Sequence, residues 1–168
     1  MPVSIDFSTL DLMDALDLAI LIEGEAWERY KLFSKQIGHR FTGDAASIFH
    51  TMAENEEKHG RHLGDRRREL FGDKPLRVSR TAIFDVEAPE SGAPRWNMSP
   101  LKALRLALDS EAKAYWFFDE ALEHITDPAV RELFAELRDE EAKHVRMVKE
   151  AIKALPPGSD IDLENEDD

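Results

Sequence analysis

The pattern Glu-x-x-His occurs twice in this chain, as Glu56-Glu57-Lys58-His59 and as Glu141-Ala142-Lys143-His144. Both copies fall in stretches whose apolar residues recur at three- and four-residue spacing, the signature of an amphipathic helix. Residues three apart on a helix share a face and lie about 4.5 Å apart along its axis. A carboxylate oxygen and an imidazole nitrogen so placed can reach one point together. The pattern constrains the fold because each copy sits on the stripe its helix must bury. An acid there is costly unless it is paired, protonated or bound to a cation.

The chain around these two copies repeats itself. A shift of 88 places Ala15, Leu16, Leu18, Ala19, Glu23 and Ala26 on Ala103, Leu104, Leu106, Ala107, Glu111 and Ala114. A shift of 85 places Phe49, Glu56, Lys58, His59 and Arg61 on Phe134, Glu141, Lys143, His144 and Arg146. The two halves therefore read as helical hairpins related by a pseudo-two-fold axis. Such an axis gathers one glutamate and one Glu-x-x-His from each half around a shared centre.

Four helices are expected. The first begins near Leu10, capped by Ser8 or Thr9, and runs to about Ile37, with Glu23 on its apolar face. Residues 38–43 connect it to a second helix, capped by Asp44, which carries Glu56 and His59 and ends near Gly72. From residue 73 to 99 the helical pattern stops, and Pro75, Pro89, Gly92 and Pro94 mark a connector. A connector this long needs a task in a compact domain, and crossing the length of a bundle is one. Ile83, Phe84, Val86 and Trp96 are expected to pin it down. Ser99-Pro100 opens the third helix, cap then first-turn proline, and Glu111 lies on its inner face. Thr126-Asp127-Pro128 turns into the fourth, which Pro156-Pro157-Gly158 stops. Residues 1–158 form the domain, and 159–168 form an acidic tail expected to lack structure.

Six side chains emerge as metal ligands: Glu23, Glu56, His59, Glu111, Glu141 and His144. A glutamate from each of two helices plus a Glu-x-x-His from each of the other two is the donor set of di-iron and di-manganese carboxylate bundles. Four carboxylates balance two divalent ions. Oxygen and imidazole donors suit iron and manganese, and the choice between them stays open. The other candidates read more plainly. His62 reads as solvated, His50 as structural, and His39 and His124 as helix-end residues. Glu57 and Glu140 point about 100° away from the ligands beside them. Trp27, Tyr30 and Trp116 read as core packing, as does Tyr115, which is also a candidate redox or hydrogen-bonding group beside the metals.

Composition excludes several classes. The net charge of −13 disfavours a nucleic-acid binder. The Arg66-Arg67-Arg68 run reads as a solvated helix end. Absence of cysteine removes disulfides, iron–sulfur clusters and thiol catalysis. No apolar run is long enough to span a membrane, and the first residues lack the basic start and apolar core of a signal peptide. The cytoplasm is the expected compartment.

The stretches Glu23-Gly24-Glu25-Ala26-Trp27-Glu28-Arg29-Tyr30, Glu56 to His59, Glu111-Ala112-Lys113-Ala114-Tyr115-Trp116-Phe117-Phe118 and Glu140 to His144 together resemble the rubrerythrin and erythrin branch of the ferritin-like superfamily. The resemblance implies an all-α, ferritin-like four-helix bundle with its long crossover between helices 2 and 3. It also implies two iron ions that react with hydrogen peroxide or dioxygen, and a homodimer. This chain departs from the pattern in three places. Arg29 stands where the family has an aromatic residue. There is no cysteine for a rubredoxin-like domain, so an external electron-donor protein is expected. The family's extra glutamate, one turn beyond the third-helix ligand, is Ala114 here, and the set that remains looks equally like a bacterioferritin ferroxidase site. The leading expectation is a di-iron peroxidase or ferroxidase with Glu23, Glu56, His59, Glu111, Glu141, His144 and Tyr115 as its working residues. The alternative is a ferritin-like carrier that stores or delivers iron, Fe²⁺ being its substrate.

Overall fold

The computed structural model describes residues 5–37, 45–79 and 98–158. Among them are four α-helices and no strand: α1 Leu12–Ile37, α2 Ala45–Phe71, α3 Pro100–Leu122 and α4 Pro128–Lys153. None of these helices is long and apolar enough to cross a membrane.

The helix ends follow local chemistry. Ser99 Oγ accepts from the Lys102 amide at 3.1 Å, and Pro100 stands in the first turn of α3. Asp127 Oδ1 accepts from the Ala129 and Val130 amides at 2.9 and 3.1 Å to open α4. Gly72 ends α2 at φ 62°, a left-handed conformation that suits a residue without Cβ. The start of α1 corrects the sequence reading. Its cap is Asp11, whose Oδ1 takes the Asp14 amide at 2.9 Å. Ser8 and Thr9 lie instead in a short 3-10 turn, Phe7–Thr9, which Asp6 caps by accepting from the Ser8 amide and hydroxyl.

The apolar residues form two clusters with a polar layer between them. One holds Leu16, Leu18, Ile22, Leu63, Phe118, Leu133 and Phe134. The other holds Ala26, Tyr30, Phe33, Phe49, Met52, Leu104 and Val148. On every helix the inner glutamate falls at the passage from one cluster to the other. That order fixes direction. α1 and α4 run from the first cluster to the second, while α2 and α3 run from the second to the first. So α2 ends at the end of the bundle opposite to where α3 begins, about 40 Å away along a helix of 27 residues. This is the helix order of a ferritin-like bundle.

Arg67 is buried, and its neighbours in the arginine run are not. Its guanidinium bonds Asp17 on α1 through two nitrogens, at 2.8 and 3.3 Å, and bonds the Gly72 and Lys74 carbonyls. The run is therefore no solvated end: its middle member ties the exit of α2 to α1. Arg77 extends the tie to Asp11 and Asp14. The connection at 38–43 with His39 and Asp44, the anchors Ile83, Phe84, Val86 and Trp96, and the tail 159–168 lie outside the described residues.

Candidate metal centre

Each helix contributes to the polar layer between the two apolar clusters. Glu23 on α1, Glu56 on α2, Glu111 on α3 and Glu141 on α4 are each at most 1% exposed. His144 is buried and His59 half-buried. All six sequence-derived ligands are thus brought together. His144 Nδ1 lies 3.2 Å from Glu56 Oε1, 3.3 Å from Glu111 Oε2 and 3.6 Å from Glu141 Oε2. His59 Nδ1 lies 3.9 Å from Glu23 Oε2. The two imidazoles stack with centroids 5.3 Å apart and planes 5° from parallel.

One imidazole N–H cannot serve three carboxylates. The His144 contact with hydrogen-bond geometry goes to Glu111. Both oxygens of Glu23, Glu56 and Glu141, and His59 Nδ1, are buried without a hydrogen-bond partner. Orphaned buried acceptors on this scale are rare in a native interior. A divalent cation satisfies them at once, so the donor set fits the group that the bundle implies. Donor atoms of Glu23, Glu56 and His59 lie within 4.8 Å of one another, and so do those of Glu56, Glu111 and His144. Glu56 belongs to both groups and is placed to bridge.

Electrostatics follow from this crowding. Burial, then the charge of Glu56, holds the Glu23 carboxyl well above the usual range. Burial, then Glu111, does the same to Glu141. Burial also raises Glu56. Burial alone would raise Glu111, but the neighbouring His144 and Glu141 and the Tyr30 hydroxyl outweigh it and hold Glu111 below its ordinary value. Burial alone would lower His144, but Glu111, Glu141 and Glu56 outweigh it and raise it strongly. His59, lacking that company, is lowered by burial and by His144.

Two site residues escaped the sequence reading. The tyrosine hydroxyl at the cluster belongs to Tyr30, which donates to Glu111 Oε1 at 2.6 Å. Tyr115 is half-buried, its ring edge-on to Trp116, which is itself exposed and not in the core. No sequence signal separated Tyr30 from an ordinary aromatic on the α1 stripe. The other is Glu140, set aside for pointing away from Glu141. It does point away from its own neighbours, and toward α2. Its Oε2 lies 3.6 Å from His59 Nε2, while Lys143 steadies Oε1 at 2.8 Å. At 3.6 Å the Glu140 charge acts on the ring without a hydrogen bond, and donor atoms of His59, Glu140 and His144 also lie within 4.8 Å of one another. Glu57, His62 and His124 are exposed, and His50 is exposed and pairs with Glu54.

No curated protein matches the chain. An uncharacterized conserved protein from Magnetospirillum magnetotacticum MS-1 is 32% identical over 88% of this chain and 97% of that one, with a TM-score of 0.70. A dodecameric thioferritin from Bacteroides fragilis, described as bacterioferritin-related, is 20% identical over 84% of each chain, TM-score 0.59. A hypothetical protein from Pyrococcus furiosus is 22% identical over 86% and 89%, TM-score 0.59. These last two show a shared fold. The sequence model of the rubrerythrin family matches residues 14–152.

Proposed function

Because the chain belongs to the rubrerythrin family, we propose that it is a di-iron oxidoreductase whose centre is built by Glu23, Glu56, His59, Glu111, Glu141 and His144 and reacts with hydrogen peroxide or dioxygen. The observation that carries this reading is the burial of the unpartnered oxygens of Glu23, Glu56 and Glu141 in one layer with two donor groups, Glu23–Glu56–His59 and Glu56–Glu111–His144, that share Glu56. Two iron ions held there supply the redox electrons.

The chain's own residues orient the donors. Tyr30 occupies Glu111 Oε1, which leaves Oε2 to face the centre beside His144 Nδ1. Glu140 faces His59 Nε2, which leaves Nδ1 toward Glu23. The two apolar clusters, one above and one below, flank the layer, and their low dielectric strengthens the charge interactions in it. With no cysteine in the 168 residues, the electron donor lies outside them. The working unit is a homodimer.

The test is anaerobic loading with Fe²⁺ followed by peroxide or dioxygen in a stopped-flow spectrometer. The reading expects near-ultraviolet ferric absorbance to develop with two irons per chain, at the native mass of a dimer. Many irons per chain in a large shell would point to storage instead. Absence of bound iron would end both readings.

A further inference from the structure

A groove of about 410 Å³ opens between α1 and α2 and reaches Glu23 and Glu56 of the metal centre. Glu23 and Glu56 form its floor, Ile20 and Trp27 one wall, and Gly24, Gly60 and Gly64 the rest of its inner surface. Neither Glu111, Glu141 nor His144 lines it.

The three glycines lie inside helices, where each costs about 1 kcal/mol relative to alanine. Packing does not require them. A Cβ added at Gly24 or Gly64 would meet nothing within 4 Å, and one at Gly60 would make only an ordinary contact with Glu23 Cβ at 3.9 Å. What their missing side chains preserve is open space. Four carboxylate oxygens, those of Glu23 and Glu56, are buried at its floor with no hydrogen-bond partner.

The pseudo-two-fold axis explains why the opening is on this side. Tyr30 stacks 5.9 Å from Phe49, and its repeat mate Phe118 sits 5.4 Å from Phe134, the mate of Phe49. The pairs correspond in the repeat, although the first is stacked at 22° and the second edge-on at 89°, and only Tyr30 carries a hydroxyl. Glu111 is therefore held by Tyr30 while Glu23, its mate, has no such donor. His144 is enclosed while its mate His59 is half-exposed. The Glu23–Glu56–His59 half is the one without a tyrosine donor and with the more exposed histidine, although the Glu141 oxygens of the other half are unpartnered as well.

We propose that this glycine-lined groove is the port through which a divalent cation enters the centre. The proposal rests on the metal-site reading above. At the mouth, Glu57 and Asp65 are offset by Arg61 and Arg68, so a cation meets no net charge before the two carboxylates. The volume is that of about a dozen waters, enough to admit an ion with part of its hydration shell.

The test uses Co²⁺, followed by its visible absorbance, mixed with full-length protein stripped by chelator. Gly64→Trp fills the groove, and Gly64→Ala removes the glycine without adding the bulk. The port predicts that Gly64→Trp slows uptake at least tenfold while the final ratio stays at two Co²⁺ per chain. Gly64→Ala should load within about twofold of the wild-type rate. Should Gly64→Trp fail to fold, Gly24→Leu blocks the opposite wall and carries the same expectation. Wild-type uptake speed in the folded, blocked variant overturns the port but leaves the metal site standing. A wild-type chain that takes up no cobalt overturns the metal site, and the port with it.

Discussion

Tyr30 on α1 and Glu111 on α3 are 81 residues apart in the chain, and the hydroxyl of one donates to the carboxylate of the other at 2.6 Å inside the core. The bond joins the two hairpins at the level of the metal centre and decides which Glu111 oxygen remains for a cation.

Tyr30→Phe removes that donor and leaves the ring, a change the repeat already tolerates at Phe118. Unfolding free energy of the metal-free protein is expected to fall by no more than about 2 kcal/mol. Affinity for Co²⁺ at the Glu56–Glu111–His144 position is expected to drop about tenfold. Competition titration against a chromophoric chelator measures it, and an unchanged affinity contradicts the role given to Tyr30.

Glu140→Gln keeps size and removes charge behind His59. Metal affinity at the Glu23–Glu56–His59 position is expected to weaken by about tenfold or more. The same titration resolves it, with urea unfolding as the control. Because Glu140 is partly exposed, its loss should leave stability nearly unchanged.

Arg67→Met strands Asp17, which is 2% exposed, and frees the Gly72 and Lys74 carbonyls. Breaking a buried pair from one side costs about 3 kcal/mol or more. Urea unfolding should register that loss. The double variant with Asp17→Leu should recover part of it, since it removes the stranded charge.

The pH dependence of the metal-free protein follows from the raised carboxyls. Glu23 and Glu141 keep their protons in the folded chain well above 4.5, where the unfolded chain loses them. The stability they add is full below 4.5 and is lost as pH rises through their folded values. Raised His144 acts in the same sense above 6.5. Lowered Glu111 matters only below 4.5, and lowered His59 opposes the trend up to 6.5. Chelator-treated protein should therefore have a higher urea midpoint at about pH 5.5 than at about pH 7.5. Metal-loaded protein should show the reverse, because its ligands must lose their protons. A flat profile in both forms contradicts the assignment.

The fold was legible where sequence signals are local or periodic. Ser99-Pro100 and Asp127-Pro128 mark helix starts unambiguously, and the repeat singled out Glu23 and Glu111 among 35 acids. Three capping residues within four positions obscured the start of α1, and only tertiary packing selects Asp11. Arg67 hid inside a run whose neighbours are solvated. Tyr30 and Glu140 act across helices that lie far apart in sequence. Periodicity reports which face a residue occupies, and it does not report which helix that face meets.

The most direct measurement is anomalous scattering at the iron edge from a crystal grown with ferrous salt. The account predicts two peaks about 4 Å apart, one beside Glu23 and His59 and one beside Glu111 and His144, with Glu56 between them. Iron found only at the surface, or none within the layer of four glutamates, would contradict it.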